Sequence, residues 1–364
     1  MQVTIDPSIL GFGLYVVNNF IPGVRSVKAA FLQATRQIAI SSVARPKVGR
    51  KDVLVRVRSV GVCASDIHYY EHGRIGRYIV DEPLILGHES AGEVVEIGSD
   101  VTHLSEGDRV TLEPGIPCKS CKYCLTGRYN LCESVCFMAT PPVHGAFVEY
   151  VSHPADFCFK IPDEMSFDEA ALMEPLSVGL FAVERSDVRI GDNVAIIGAG
   201  PIGLVTLLVL KAQGITDVTV FDAVESRVES AEQLGARAAF NVHQCDLAVN
   251  FDSAFDAVFE TAGSAEATAL TTRLVSRGGS ITLVGLVAEN TIPFNSNEIV
   301  DKGVDMRGVF RYANTYPRAI ELVSSGLIDL SPLVSRHFPL DKTADALEFA
   351  RNAKDRCIKA IVTP

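Results

Sequence analysis

Apolar and polar positions alternate, with interruptions, through "VLVRVRSVGVC" (53–63), "AGEVVEIG" (91–98), "DRVTL" (108–112) and "AFVEYVSH" (146–153). These runs are rich in β-branched residues and are separated by Gly, Pro and Asp, so the first half of the chain is predicted to be strand-rich. From about residue 180 the pattern changes. "NVAIIGAG", "DVTVFDA", "FDAVFETAG" and "SITLVGL" are short apolar runs, and helical patterns such as "ESRVESAEQLG" fill the intervals. Strands alternating with helices predict βαβ units and a parallel sheet buried on both faces. Near the end, "LDKTADALEFARNA" predicts an amphipathic helix and "CIKAIVTP" a closing strand, a return to mixed character that is expected to rejoin the first domain.

Two stretches are open to a membrane or targeting reading. Residues 194–210, "VAIIGAGPIGLVTLLVL", approach the length of a membrane span, but three glycines and a proline fit a strand, turn and helix better. The opening "MQVTIDPSILGFGLYVVNNFIPGVRS" lacks a cationic start and is broken by Asp6, Pro7 and two asparagines, so residues 1–27 are read as an N-terminal extension. A soluble, cytoplasmic protein is expected.

Composition narrows the picture further. A chain of 364 residues predicts two domains, and 48% hydrophobic residues suffice for two cores. A net charge of −11 without any basic run opposes a nucleic-acid or anionic-membrane partner. In a reducing compartment, grouped cysteines more often hold metal than form disulfides.

The glycines of "IGAGPIG" have G-x-G-x-x-G spacing. Gly198 permits a tight turn, Gly200 lets a pyrophosphate approach the backbone, and Gly203 lets the helix pack closely, with Pro201 and Ile202 opening that helix. Asp222 ends the next predicted strand, where a carboxylate accepts hydrogen bonds from an adenosine ribose and repels a 2′-phosphate. A helix-capping Asp is the plainer alternative. The order strand, turn, helix, strand, acid predicts NAD binding, and Arg227 lies against the adenine or tolerates a phosphate.

Cys118, Cys121, Cys124 and Cys132 follow the spacing C-x2-C-x2-C-x7-C. Four thiolates close a tetrahedral zinc shell and leave no place for substrate, so this lobe (115–133) predicts a structural metal. A reactive metal must lie elsewhere. "GVCASDIHYY" carries Cys63, and "LGHESAGEVVEIG" carries His88 and Glu89, three potential ligands that leave a fourth position open. Such a zinc acts as a Lewis acid that lowers the pKa of an alcohol before hydride leaves its carbon. Each residue alone also fits an ordinary core or surface role.

Taken together, "GVCASDIHYY", "LGHESAGEV", "CFMATPPVHGAFVEY", "MEPLSVGL", "IGAGPIG" and "GVFRYANTYPRAI" resemble the zinc-dependent medium-chain dehydrogenases, specifically the polyol (sorbitol/xylitol) branch. The resemblance runs from about residue 28 to the end. It implies an α/β architecture in which a GroES-like β-rich catalytic domain (1–178 and 318–364) receives an inserted Rossmann domain (179–317). It also implies two zinc ions per subunit, NAD as cofactor, a small polyol substrate and a homotetramer. By the same resemblance Cys63, His88 and Glu89 hold the catalytic zinc, in the cleft between the domains. Glu174 stands where simple alcohol dehydrogenases have a further Cys, facing the metal, usually through its water. Ser65 and His68 resemble a proton path. Tyr69, Phe137, Thr140, Arg311 and Tyr312 correspond to the polyol pocket, while Val284, Gly285 and Leu286, with Val309, Phe310 and Arg311, run beside the nicotinamide. Mammalian sorbitol enzymes lack most of the four-cysteine lobe, so this chain sits nearer the microbial and fungal enzymes. Threonine, butanediol and simple alcohols remain alternative substrates of the same machinery, and a retired dinucleotide-binding protein is the alternative from another class.

Overall fold

The computed structural model describes residues 26–288 and 291–364, so the first 25 residues of the extension lie outside it. The chain forms two compact units. One comprises the described residues up to Glu174 with Leu330–Ala353 and Lys359–Pro364, and the other comprises Pro175–Asp329 with Lys354–Ile358.

The first unit is built on a seven-stranded sheet. Its path runs Cys158–Lys160, Arg109–Leu112, Glu89–Ile97, Asp52–Gly61, Lys359–Thr363, Val334–Pro339, and Tyr150–Pro154 pairs with the other end of Asp52–Gly61. All pairings are antiparallel except the last in the path, between Val334–Pro339 and Lys359–Thr363. The alternation in "VLVRVRSVG" places Val53, Val55, Val57 and Val60 in the core while Arg56 points outward. The C-terminal strand thus does rejoin the first unit, lying beside Asp52–Gly61 with Ile361 opposite Gly61.

One predicted strand is shorter than its pattern. The run 146–153 pairs as a strand only over Tyr150–Pro154. Upstream, Gly145, Ala146 and Phe147 donate backbone hydrogen bonds to Ile85, Gly87 and Leu86 at 2.7–2.9 Å. Those residues therefore brace the loop leading into His88 instead of extending the large sheet.

In the second unit six parallel strands are ordered Ala238–Asn241, Val218–Asp222, Val194–Ile197, Phe255–Glu260, Val275–Leu283, Asp305–Gly308. Numbered along the chain this is 3-2-1-4-5-6, the doubly wound order of dinucleotide-binding sheets. Val194–Ile197 and Val218–Asp222 are buried at every position, as strands covered by helices on both faces require. Phe221, Leu247, Phe255, Val258, Leu274 and Ile281 centre one of the cores. The apolar stretch 194–210 resolves into the strand Val194–Ile197 and the helix Pro201–Ala212. Among the described residues no helix is long and apolar enough to cross a membrane.

Candidate metal and dinucleotide sites

The helix Ala64–His72 follows directly from the strand Asp52–Gly61, and its N-cap is Cys63. Asp66, three residues in, completes a capping box by accepting the Cys63 backbone N–H at 2.9 Å. Its other oxygen accepts the Gly87 N–H, also at 2.9 Å. One buried carboxylate thereby ties the turn carrying Cys63 to the loop carrying His88 and Glu89. Gly87 has φ +86°, and a Cβ there would stand 2.8 Å from the Phe147 ring, so only glycine fits this turn. Glu89 opens its strand opposite Gly61, two residues before Cys63.

The result is convergence. Ligand atoms of Cys63, His88 and Glu89 lie within 4.8 Å of one another, with His88 and Glu89 buried and Cys63 half-buried. The His88 ring packs on Phe137 at 5.6 Å between centroids, and Nδ1 lies 3.7 Å from Asp66. Burial works to depress the His88 pKa, but the neighbouring Cys63, Asp66 and Glu174 outweigh it and hold the ring up at about 10. Asp66 is itself raised by burial, against the pull of His88 and the two amides. The groups acting on His88 are mostly acidic, with the Lys359 ammonium on Glu89 as the counter-charge. A thiolate, an imidazole and a carboxylate in such surroundings suit a zinc ion, whose tetrahedral shell spaces its ligands by about 3.3–3.8 Å. Glu174 is buried in the first turn of the helix Met173–Ser186, close enough to act on both His88 and Lys359.

The four-cysteine lobe also assembles. Cys118, Cys121, Cys124 and Cys132 bring their sulfurs within 4.8 Å of one another. Cys118 Sγ is 3.8 Å and Cys121 Sγ 3.4 Å from Cys124 Sγ. Four ligands at about 2.3 Å from one zinc stand about 3.8 Å apart, so the set has the required size. Backbone amides of Cys121 and Cys118 donate to the sulfurs of Cys118 and Cys132 at 3.3 and 3.4 Å. Donors from the Ser120 backbone and hydroxyl draw the Cys118 pKa down to about 6, which favours the thiolate a metal binds.

In the second unit the glycine turn joins the first strand to its helix. Gly198 has φ +104°, and a Cβ on it would lie 2.7 Å from the Ala262 nitrogen. Gly203 is tighter still, since a Cβ would meet the Gly198 carbonyl at 1.8 Å. Gly200 is the N-cap, Pro201 the first helical residue and Ile202 the second. Space beside Gly200 is open, bounded at 3.9 Å by Arg227 Nη1. Asp222 does more than sequence reasoning assigned to it. Its carboxylate accepts the Ala199 N–H at 2.7 Å and the Val224 N–H at 2.8 Å, fixing the lip of the turn. At the ends of the fifth and sixth strands Val284, Gly285, Leu286, Val309, Phe310 and Arg311 form two adjacent loops. Leu286 and Phe310 are left 76% and 46% exposed, an apolar surface beside a glycine turn.

The remaining predicted residues divide between the units. Ser65 and His68 lie one turn apart on the helix that starts after Cys63, and among the described residues no hydrogen bond joins them. Partial desolvation, then the neighbouring His72, lower the His68 pKa. Tyr69 is buried on the same helix and Phe137 lies on His88, while Thr140 donates its N–H to the Phe137 carbonyl. Arg311 and Tyr312 follow the sixth strand of the second unit, Arg311 at φ +53° with its guanidinium over Phe310 and Tyr312 packed on Tyr316.

Sequence reasoning missed Asp66, Lys359 and Glu260. Asp66 stood inside a quoted motif, and its position three residues after a helix start is a capping signal. Lys359 has no local signal. Glu260, buried at the end of the fourth strand of the chain order, accepts the Gly263 N–H through its side chain and the Val284 and Gly285 N–H groups through its carbonyl. It stitches together the loops after two neighbouring strands.

A parallel 3-2-1-4-5-6 sheet with a glycine turn and, in the same chain, an antiparallel unit holding two candidate zinc sites define a zinc-binding dehydrogenase. Comparison with known proteins agrees. The alcohol dehydrogenase GroES-like domain matches residues 49–163, and the zinc-binding dehydrogenase domain matches residues 201–325. The chain is 44% identical to the sorbitol dehydrogenase of Bacillus subtilis (strain 168), over 93% of this chain and 98% of that one. It is 42% identical to a putative D-xylulose reductase of Rhizobium meliloti (strain 1021), over 91% and 97%. The structure of an Escherichia coli oxidoreductase/dehydrogenase of unknown specificity involved in membrane biogenesis superposes with a TM-score of 0.89 at 39% identity, covering 93% of this chain and 99% of that one. The chain belongs to the zinc-dependent medium-chain dehydrogenase/reductase family.

Proposed function

We propose that this protein is a zinc- and NAD⁺-dependent polyol dehydrogenase, oxidising a secondary hydroxyl of a linear polyol such as sorbitol or xylitol to the ketose. The observation that carries the reading is the convergence of Cys63, His88 and Glu89, with Glu174 beside them, in a unit whose relatives include sorbitol dehydrogenases. When bound there, zinc supplies the Lewis acidity that makes a substrate hydroxyl acidic, and the nicotinamide accepts the hydride.

The chain's own groups do the rest. Cys63, His88 and Glu89 hold the metal, and Asp66 keeps two of their backbone segments in register. Glu174, a buried carboxylate in the same surroundings, binds a second substrate hydroxyl or holds a proton. Ser65 and His68 lie one turn apart on one helix, so a water between them would carry a proton from the Ser65 hydroxyl to the solvent-exposed His68 imidazole. The lowered pKa keeps His68 neutral at pH 7 and ready to accept that proton. By their likeness to the polyol dehydrogenase motifs, Tyr69, Phe137, Thr140, Arg311 and Tyr312 are the residues assigned to the polyol. The glycine turn and Asp222 seat NAD, and the carboxylate disfavours a 2′-phosphate. Cys118, Cys121, Cys124 and Cys132 hold a second zinc of structural role. A cytoplasmic homotetramer is the proposed working form.

Steady-state rates on sorbitol, xylitol, threonine and 2,3-butanediol, each with NAD⁺ and NADP⁺, test the reading. A polyol with NAD⁺ is expected to give the highest kcat/KM, and Cys63→Ser to lose that activity while the four-cysteine lobe keeps its zinc. Preference for threonine or butanediol, or full polyol activity in Cys63→Ser, would overturn it.

A further inference from the structure

Lys359 is buried, its side chain only 2% exposed, and it lies among the donors just described. Its ammonium donates to both Glu89 carboxylate oxygens at 2.7 Å and to the Val62 carbonyl at 3.1 Å. These three contacts occupy all three N–H groups of a lysine. A buried ammonium is costly unless it is paired and hydrogen-bonded, so a site that satisfies it fully fixes its place. Gly61 also borders Glu89, and a Cβ there would fall 2.0 Å from Oε2. The carboxylate therefore has a cation on its oxygens and room that only a glycine at position 61 leaves open. Val62, which receives the third hydrogen bond, immediately precedes Cys63.

We propose that Lys359 is a positioning residue for the metal centre: it aims the Glu89 carboxylate and, through the Val62 carbonyl, anchors the turn that presents Cys63, so that two of three donors are oriented before the metal arrives. The proposal rests on the zinc reading above and deepens it. All three hydrogen bonds of the Lys359 ammonium go to Glu89 and Val62, so its influence on the site passes through those two residues. Its role is the one that outer partners of metal ligands play elsewhere, where removal costs about 10–100-fold in metal affinity.

The test is release of zinc from purified holoprotein to a graded chelator, with the four-cysteine lobe as internal control. Wild type is expected to hold two zinc ions per chain, and Cys63→Ser identifies the release phase of the Cys63 site. In Lys359→Met that phase is expected at about 10–100-fold lower chelator strength while the lobe phase stays put. Lys359→Arg, which keeps the cation, is expected to recover part of the loss. Gly61→Ala crowds Glu89 with Lys359 intact and is expected to reproduce the selective loss. A general loosening of the fold would move both phases and would refute a positioning role. Folded Lys359→Met with wild-type resistance at the Cys63 site would refute it as well. If Lys359→Met does not fold, Lys359→Gln, which keeps a donor but loses the charge, decides in the same way. Wild-type protein carrying zinc at the lobe alone would instead overturn the catalytic-metal reading itself.

Discussion

Asp66→Ala is the perturbation whose cost can be worked most directly. The carboxylate is fully buried and accepts two backbone amides, from Cys63 and Gly87, each at 2.9 Å. Alanine removes both acceptors and offers nothing in their place. An orphaned buried N–H costs about 1–3 kcal/mol, so two amount to roughly 2–6 kcal/mol. Asparagine keeps the shape and one oxygen, orphaning one amide, and its cost should be about half. Set against a total stability on the order of 5–15 kcal/mol, the alanine variant loses a large share. Native-state hydrogen exchange read by mass spectrometry localises the effect. Peptides covering 52–66 and 84–97 should lose protection in the order wild type, Asn, Ala, while peptides of the parallel sheet stay unchanged. Urea midpoints of the same three proteins give the magnitude. Equal protection in wild type and Asp66→Ala, or a midpoint shift worth less than about 1 kcal/mol, would refute the claim that one carboxylate welds the two ligand-bearing segments.

Three further outcomes follow from other sites. Gly203→Ala places a Cβ 1.8 Å from the Gly198 carbonyl and 2.9 Å from Thr261 Oγ1, so the helix must move off the sheet. NADH binding followed by fluorescence should weaken sharply, and an unchanged dissociation constant would contradict the close packing. Cys132→Ser should reduce zinc by one ion per chain in elemental analysis while leaving the Cys63 phase of chelator release intact. His153 is fully buried, its Nε2 2.8 Å from the Glu113 carbonyl, and burial pushes its pKa from 6.5 down to about 4. Between those values the unfolded chain binds a proton that the folded chain refuses. The His153 contribution is thus complete above pH 6.5 and falls toward pH 4, by roughly 3 kcal/mol at about 1.4 kcal/mol per unit, while buried Glu113, raised to about 7, contributes with the opposite sign. Urea midpoints at pH 7 and pH 4.5 should shift relative to those of His153→Asn by that His153 amount, wild type losing more on acidification, and parallel shifts in the two proteins would refute it.

What was legible in the sequence was mostly what is local. The four cysteines span fifteen residues, so their spacing alone sets the donor count, and the glycine turn reads directly because strand, turn and helix are contiguous. Cys63 and the His88–Glu89 pair belong to separate segments, and their convergence was carried by likeness to known motifs. The structure supplies its cause, an antiparallel register that sets Gly61 opposite Glu89 and a carboxylate bridging the two turns. The strand expected over 146–153 was misjudged because alternation reports a buried face but not which backbone the chain will bond. Lys359 lies in "CIKAIVTP", a run that reads as an ordinary closing strand. Nothing nearby says that its ammonium will meet a carboxylate 270 positions earlier in the chain.

That separation bears on how the molecule comes into being. The parallel sheet is encoded almost wholly by one continuous middle stretch, and it is free to assemble as soon as that stretch has left the ribosome. The antiparallel unit must wait, because its central strand lacks a neighbour until Lys359–Thr363 has been synthesised. During that interval Glu89 is a carboxylate without its ammonium, in a half-built sheet with an open edge. The carboxylate, imidazole and thiol proposed to receive the metal are therefore brought to their final spacing only when that strand pairs, a later event than closure of the parallel sheet.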